Sequence, residues 1–240
     1  MKYGYKVKIC GTTNMNDAIL AAREGADYFG VVIEADFSLR SLTIEGALEL
    51  FASPPIPAVA LVFHMQEERL HYLIGHLKPF AIQFLSQEEP ELIKRLKSAY
   101  PDVQLWQSVH LPCAGMEVDL QNVRNVVRDY IEAGVDVLLY DTVATLQGKQ
   151  KFGGTGLVSD WNVVKQLMEE IECRVPILLA GGINPQNAAE ALMAICPDGL
   201  DLCSGVEAVP GRKDPEKVKA LMKAVKSVYV VKEIDKKEEF

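Results

Sequence analysis

The chain has 240 residues, 49% hydrophobic and 24% charged, with a formal net charge of −8. This is ordinary globular composition, enough for one large domain or two small ones. An acidic balance leaves no basic face, so neither nucleic acid nor an anionic membrane surface is an expected partner, and an anionic ligand would have to be held by local donors. The five cysteines (Cys10, Cys113, Cys173, Cys196, Cys203) are odd in number and contain no C-x-x-C pair, which argues against a disulfide framework or structural zinc and for a reducing cytoplasm. No apolar leader stands at the N-terminus and no window approaches the ~20 apolar residues of a membrane span, so the expectation is a protein neither exported nor membrane-embedded.

Taken in chain order, apolar runs of strand length lie at Lys6–Cys10, Tyr28–Ile33, Pro57–Phe63, Phe80–Phe84, Val103–Val109, Val135–Asp141, Pro176–Ala180 and Gly199–Cys203. Helical patterns alternate with them at Asn16–Glu24, Ile44–Phe51, Glu67–His76, Glu91–Ala99, Leu120–Ala133, Asp160–Ile171, Pro185–Ala194 and Pro215–Val228. Strict alternation implies parallel strands joined by helical crossovers, and eight such units close most simply into a single (β/α)8 barrel. Asn184-Pro185 and Asp214-Pro215 each place a capping side chain before a proline suited to a first helical turn. No linker divides the chain, so residues 1–240 read as one domain, with 229–240 as a charged tail. Thr142 to Val158 greatly exceeds the usual connection of about 2–6 residues and reads as a glycine-rich lid.

In a barrel the chemistry belongs at the C-terminal ends of the strands. Cys10 and Asp141 both hold such positions and form a candidate base and acid, although a buried cysteine is as readily a small hydrophobe, and Asp141 could be a cap or an ion-pair partner of Lys8. Three turns could cradle a phosphate: Gly153-Gly154-Thr155-Gly156, Gly181-Gly182-Ile183-Asn184 and Ser204-Gly205. Tight turns alone would also explain their glycines. Gly153–Gly156 does not fit a dinucleotide fingerprint, so no nicotinamide cofactor is expected. His64, His71, His76 and His110 lack a metal-binding spacing, and no metal is expected. Arg40, in the loop after the second strand, could grip a carboxylate with its planar fork or lie solvated.

These segments together, Val7-Lys8-Ile9-Cys10-Gly11, Leu138-Leu139-Tyr140-Asp141-Thr142, Gly153-Gly154-Thr155-Gly156, Ala180-Gly181-Gly182-Ile183-Asn184-Pro185 and Ser204-Gly205-Val206-Glu207 with Pro210-Gly211-Arg212-Lys213-Asp214, resemble the phosphoribosylanthranilate isomerase family of tryptophan biosynthesis nearly end to end. The resemblance implies a TIM barrel that carries out an Amadori rearrangement without cofactor. It further implies Cys10 as base, Asp141 as acid, Arg40 near the anthranilate end, and Gly154, Gly156, Gly181, Gly182, Asn184, Ser204 and Gly205 about the substrate. Departures are Gln83-Phe84-Leu85-Ser86 where the family reads Gln-Leu-His-Gly, Gly30-Val31-Val32-Ile33 with Glu34-Ala35-Asp36 after it, Cys203 in place of a serine, and His64 near a family asparagine. The alternatives are a relative acting on another phosphoribosyl amine and a non-catalytic phosphate-ligand binding protein. An apolar patch on one barrel face would pair two copies as a homodimer.

Overall fold

The computed structural model describes residues 3–112, 115–146, 149–152, 160–170 and 175–238. Eight principal strands run β1 (Lys6–Ile9), β2 (Tyr28–Ile33), β3 (Ala58–Val62), β4 (Ala81–Phe84), β5 (Gln104–Pro112), β6 (Val137–Leu146), β7 (Ile177–Leu179) and β8 (Gly199–Leu202). Helices α1 (Met15–Glu24), α2 (Ile44–Ala52), α3 (Glu67–Leu77), α4 (Pro90–Ala99), α5 (Leu120–Ala133), α6 (Trp161–Glu170), α7 (Ala188–Ile195) and α8 (Pro215–Glu238) follow the strands in turn. Each of these strands pairs parallel with its chain neighbour, and β1 pairs with both β2 and β8, which closes the sheet into the (β/α)8 barrel that the alternation leads one to expect. No described helix is long and apolar enough to cross a membrane.

Period two along each strand separates two cores. Val7, Ile9, Phe29, Val31, Ala60, Val62, Leu138 and Tyr140 point outward and pack under the helices. Cys10, Val32, Val59, Leu61, Ala81, Trp106, Val137, Leu139 and Leu178 fill the barrel interior. The same inward phase carries Lys8, Gln83, Ser108 and Asp201, all buried. Lys8 can enter this crowded space because residue 30 is glycine: a Cβ there would stand 2.9 Å from Lys8 Cε and 2.8 Å from Leu61 Cδ1.

Local signals set the helix ends. Asn14, Thr43 and Asp119 accept the backbone N–H three residues on, at 3.0 Å each, and so cap α1, α2 and α5. Gly25 and Gly134 end α1 and α5 in the left-handed conformation. Asp214 caps α8 as expected, accepting from Glu216 and Lys217 at 2.9 and 3.2 Å. Two expectations need correction. α7 starts at Ala188 and not at Pro185, because the Asn184 side chain accepts from Gln186 and Asn187 and builds a separate turn first. Part of the long segment read as a lid is sheet: β6 continues to Leu146, and Lys149–Phe152 returns antiparallel beside it. α8 runs to Glu238, and the side chains of 230–240 lie outside the described residues.

Candidate active site

The C-terminal rim of the barrel is built around the contact between β1 and β8, the first and last strands. Ile9 lies opposite Leu202, and the Cys10 N–H donates to the Leu202 carbonyl at 2.7 Å, which brings Cys10 and Cys203 side by side in the inward phase. Cys10 is buried and Cys203 half-buried, and both are free thiols. The two side chains lie in one inward-facing cluster. Gly11 follows with φ 70°, and its missing side chain is what admits the neighbours, since a Cβ there would stand 2.6 Å from Arg40 Cδ and 2.7 Å from Cys203 Sγ.

One layer below, Lys8 Nζ donates to both carboxylate oxygens of Asp201 at 2.9 Å. Lys8 and Asp201 are direct partners in the β1–β8 register, so the lysine pairs here and not with Asp141. Burial disfavours the Lys8 cation, but the Asp201 carboxylate outweighs that and lifts its pKa above the usual lysine value.

Above the thiols, Glu207 joins three basic contacts. Arg40 holds it two-fold, Nε to Oε1 at 2.9 Å and Nη2 to Oε2 at 2.5 Å, and Lys213 Nζ reaches Oε1 at 3.0 Å. Lys213 Nζ also donates to the Cys10 carbonyl at 2.5 Å. Burial works against the Glu207 carboxylate, yet Arg40 and Lys213 hold it below the usual range. Arg40 thus reaches the rim as expected, with its fork turned to Glu207. The thiol pair divides in consequence. The neighbouring Cys10 thiol lowers the Cys203 pKa, burial opposing and Lys213 and Arg40 assisting; the neighbouring Cys203 thiol, burial and Asp201 push Cys10 well above the usual thiol value, Lys8 opposing.

Asp141 stands across the rim on β6, in the inward phase set by Val137 and Leu139. Burial is the main influence on its carboxyl and pushes the pKa up, against the opposing effects of His110 and of the Thr142 N–H, which donates to Asp141 Oδ1 at 2.7 Å. His110 is the direct neighbour of Asp141 in the β5–β6 register, and its Nε2 lies 2.6 Å from the Leu85 carbonyl, which identifies Nε2 as the N–H.

The two candidate phosphate turns that the structure describes are interlocked. A Cβ on Gly205 would stand 2.1 Å from the Ile183 carbonyl and 3.1 Å from Asn184 Cα; one on Gly181, at φ 78°, would stand 2.6 Å from the Thr142 backbone nitrogen. Gly182 also adopts φ 67°, and Ser204–Val206 form one 3-10 turn after β8. The Asn184 side chain is occupied in its own turn, donating to the Gly182 carbonyl at 3.4 Å. Gly154 and Gly156 lie outside the described residues, as do Cys113 and Cys173. Next to the thiols the interior wall is apolar, with Val32, Ala35, Phe63 and Leu85 in one cluster with Cys10 and Cys203. Glu34 turns out of this wall: Arg69 on α3 donates to it at 2.9 and 2.5 Å.

The sequence names Cys10, Asp141, Arg40 and the two described turns as candidates, which the fold places on one rim, and it does not point to the contacts of Asp201, Glu207, Lys213 and His110 there. Asp201 and Cys203 stand two apart on β8 just as Lys8 and Cys10 do on β1, a parity that could have signalled the first of these.

Comparison with known proteins gives a consistent picture. A family model described as N-(5'-phosphoribosyl)anthranilate (PRA) isomerase matches residues 7–224. An N-(5'-phosphoribosyl)anthranilate isomerase of Methanocella arvoryzae is 34% identical over 224 residues, covering 92% of this chain and 98% of that protein. Among solved structures, phosphoribosyl anthranilate isomerase from Thermotoga maritima superposes with a TM-score of 0.75 at 26% identity, covering 93% of this chain and 99% of the other. One in complex with reduced 1-(o-carboxyphenylamino)-1-deoxyribulose 5-phosphate superposes with a TM-score of 0.73 at 25% identity, again covering 93% and 99%.

Proposed function

The chain belongs to the N-(5′-phosphoribosyl)anthranilate isomerase family, and from that membership we propose that its rim residues divide the work of the isomerisation between Cys10 and Asp141. The protein is an intramolecular oxidoreductase of the aldose–ketose type. It converts N-(5′-phosphoribosyl)anthranilate to 1-(2-carboxyphenylamino)-1-deoxyribulose 5-phosphate in tryptophan biosynthesis.

The observation that carries the division of roles is the placement of a thiol and a buried carboxyl at two inward-facing strand ends of one rim. Asp141 is a carboxyl whose burial favours its protonated form, the form a general acid needs. It gives its proton to the ribose ring oxygen, the C1′–O bond breaks, and the nitrogen lone pair forms a Schiff base at C1′. Cys10 then removes the C2′ proton. The electrons of that C–H bond become the C1′–C2′ double bond of an enolamine, which tautomerises to the ketose. No redox cofactor is needed, because the oxidation at C2′ is balanced by reduction at C1′ within one molecule.

Binding follows the same geography. The interlocked turns after β7 and β8, with Gly181, Gly182, Ser204 and Gly205, hold the phosphate through backbone N–H groups. The apolar wall of Val32, Ala35, Phe63 and Leu85 receives the aromatic ring, and Arg40 meets the ring carboxylate. Phosphate, carboxylate and ring all come from one small substrate, in keeping with the acidic balance of the chain. The enzyme works in the cytoplasm, where its five cysteines stay reduced, and two copies associate as a homodimer.

The test is turnover of freshly generated N-(5′-phosphoribosyl)anthranilate, followed by loss of its anthranilate fluorescence with no added metal or cofactor. Wild-type protein should turn it over far above the spontaneous breakdown rate. Disappearance at the spontaneous rate, with anthranilate itself as product, would overturn the reading.

A further inference from the structure

A cysteine buried in apolar surroundings holds its proton, and one that must act as a base near neutral pH needs somewhere to send it. The rim provides a place. Cys203 faces Cys10 across the β1–β8 seam, its Sγ packs against Gly11 beside Arg40, and the two thiols lie in one cluster. The charged groups around the pair are unevenly placed. Arg40 and Lys213 reach it from above, with Glu207 between them; Lys8 and Asp201 lie beneath and are locked to each other. Lys213 and Arg40 act on Cys203 against Glu207, while Asp201 and, in the opposite sense, Lys8 bear on Cys10.

We propose that Cys203 is a positioning residue for the isomerisation, the proton acceptor that turns Cys10 into a base. This deepens the assignment of Cys10 as base and rests on it. At rest the pair carries one negative charge, held on Cys203 and hydrogen-bonded by the Cys10 thiol. As the Schiff base forms, the Cys10 S–H bond breaks and an S–H bond forms on Cys203, so the charge moves to Cys10, which then takes the C2′ proton. Atoms and charge balance within the pair, and no outside base is required. The arrangement follows from the cysteine that stands here where the family pattern has serine, since serine at 203 could donate a hydrogen bond but could not hold the charge near neutral pH.

Two readings on the full-length protein under reducing conditions test the proposal. The first is the thiolate ultraviolet absorbance of wild type, Cys203→Ser and Cys10→Ser through neutral pH. Wild type and Cys10→Ser should each show the extra thiolate equivalent, and Cys203→Ser should lose it. The second is the pH profile of kcat/KM. Cys203→Ser and Cys203→Ala should remain active, with the low-pH limb displaced upward by about one unit, which is about a tenfold loss at neutral pH, and recovery should follow at higher pH. A packing role alone would leave the serine profile in place. An unchanged thiolate content or an unchanged limb in Cys203→Ser overturns the proposal. Undiminished turnover in Cys10→Ala would instead remove the base assignment beneath it, while the absorbance still reads the coupled pair.

Discussion

Replacing Lys8 with methionine keeps the length of the side chain and removes its charge, leaving the Asp201 carboxylate buried beside an apolar atom. Lys8 has no exposure to solvent and Asp201 is 8% exposed, so neither group can recover its partner from water. Breaking a buried pair on one side costs about 3–5 kcal/mol, whereas replacing both partners by apolar side chains is often neutral or stabilising. For a chain of this size about 2–4 °C of melting temperature accompanies each kcal/mol, so Lys8→Met should melt roughly 6–20 °C below wild type. Lys8→Met combined with Asp201→Leu should recover most of that loss. The lysine pKa is raised by its partner, so the pair's contribution is fully present below the ordinary lysine value of about 10.4 and is lost only as pH rises through the higher folded value. The gap between wild type and Lys8→Met should therefore hold from neutral pH to about pH 10 and narrow above it. Thermal and urea unfolding of the two single variants and the double variant measure this directly. A loss under about 1 kcal/mol for Lys8→Met, or a double variant as unstable as the sum of the singles, would refute the reasoning.

Two further substitutions separate binding, chemistry and stability. Gly205→Ala drives a methyl group to within 2.1 Å of the Ile183 carbonyl and must part the two phosphate turns; the expected result is a KM raised about tenfold or more with a smaller change in kcat, together with weaker inhibition by inorganic phosphate. Asp141→Asn should lose activity and gain stability at neutral pH. A carboxyl whose folded pKa is raised by burial binds more protons folded than unfolded, so its contribution is most favourable below about pH 3.9 and is lost as pH rises through the folded value. The neutral amide escapes that cost, and a melting temperature at pH 7 below that of wild type would contradict the assignment of Asp141 as a desolvated acid.

Much of the fold was legible because each barrel strand is a short apolar run between helical patterns, and the start of β2 at Tyr28 and the bounds of α5 followed from the residues alone. The hairpin after β6 was not legible, since Lys149–Phe152 is polar and lacks the apolar run by which the principal strands announce themselves. The start of α7 was misplaced because Asn184-Pro185 fits two local structures, a cap and a closed turn, and the asparagine's side-chain bonds to Gln186 and Asn187 decide between them. Cys10 and Asp141 could be read as candidates from their places at strand ends. Their partners could not, because the contacts joining Lys8 to Asp201 and Arg40 to Glu207 span most of the chain and exist only once β8 closes on β1. Cys203 was visible as a departure from the family pattern, and its meaning appeared when the register set it beside Cys10.

The most direct test of the acid–base account is steady-state turnover of N-(5′-phosphoribosyl)anthranilate by Cys10→Ala and by Asp141→Asn beside wild type, with folding of each variant checked by circular dichroism. The account predicts that each folded variant loses at least about 10²–10⁴-fold in kcat, the scale of a positioned acid or base. A folded variant of either residue that keeps kcat within a few-fold of wild type would contradict it.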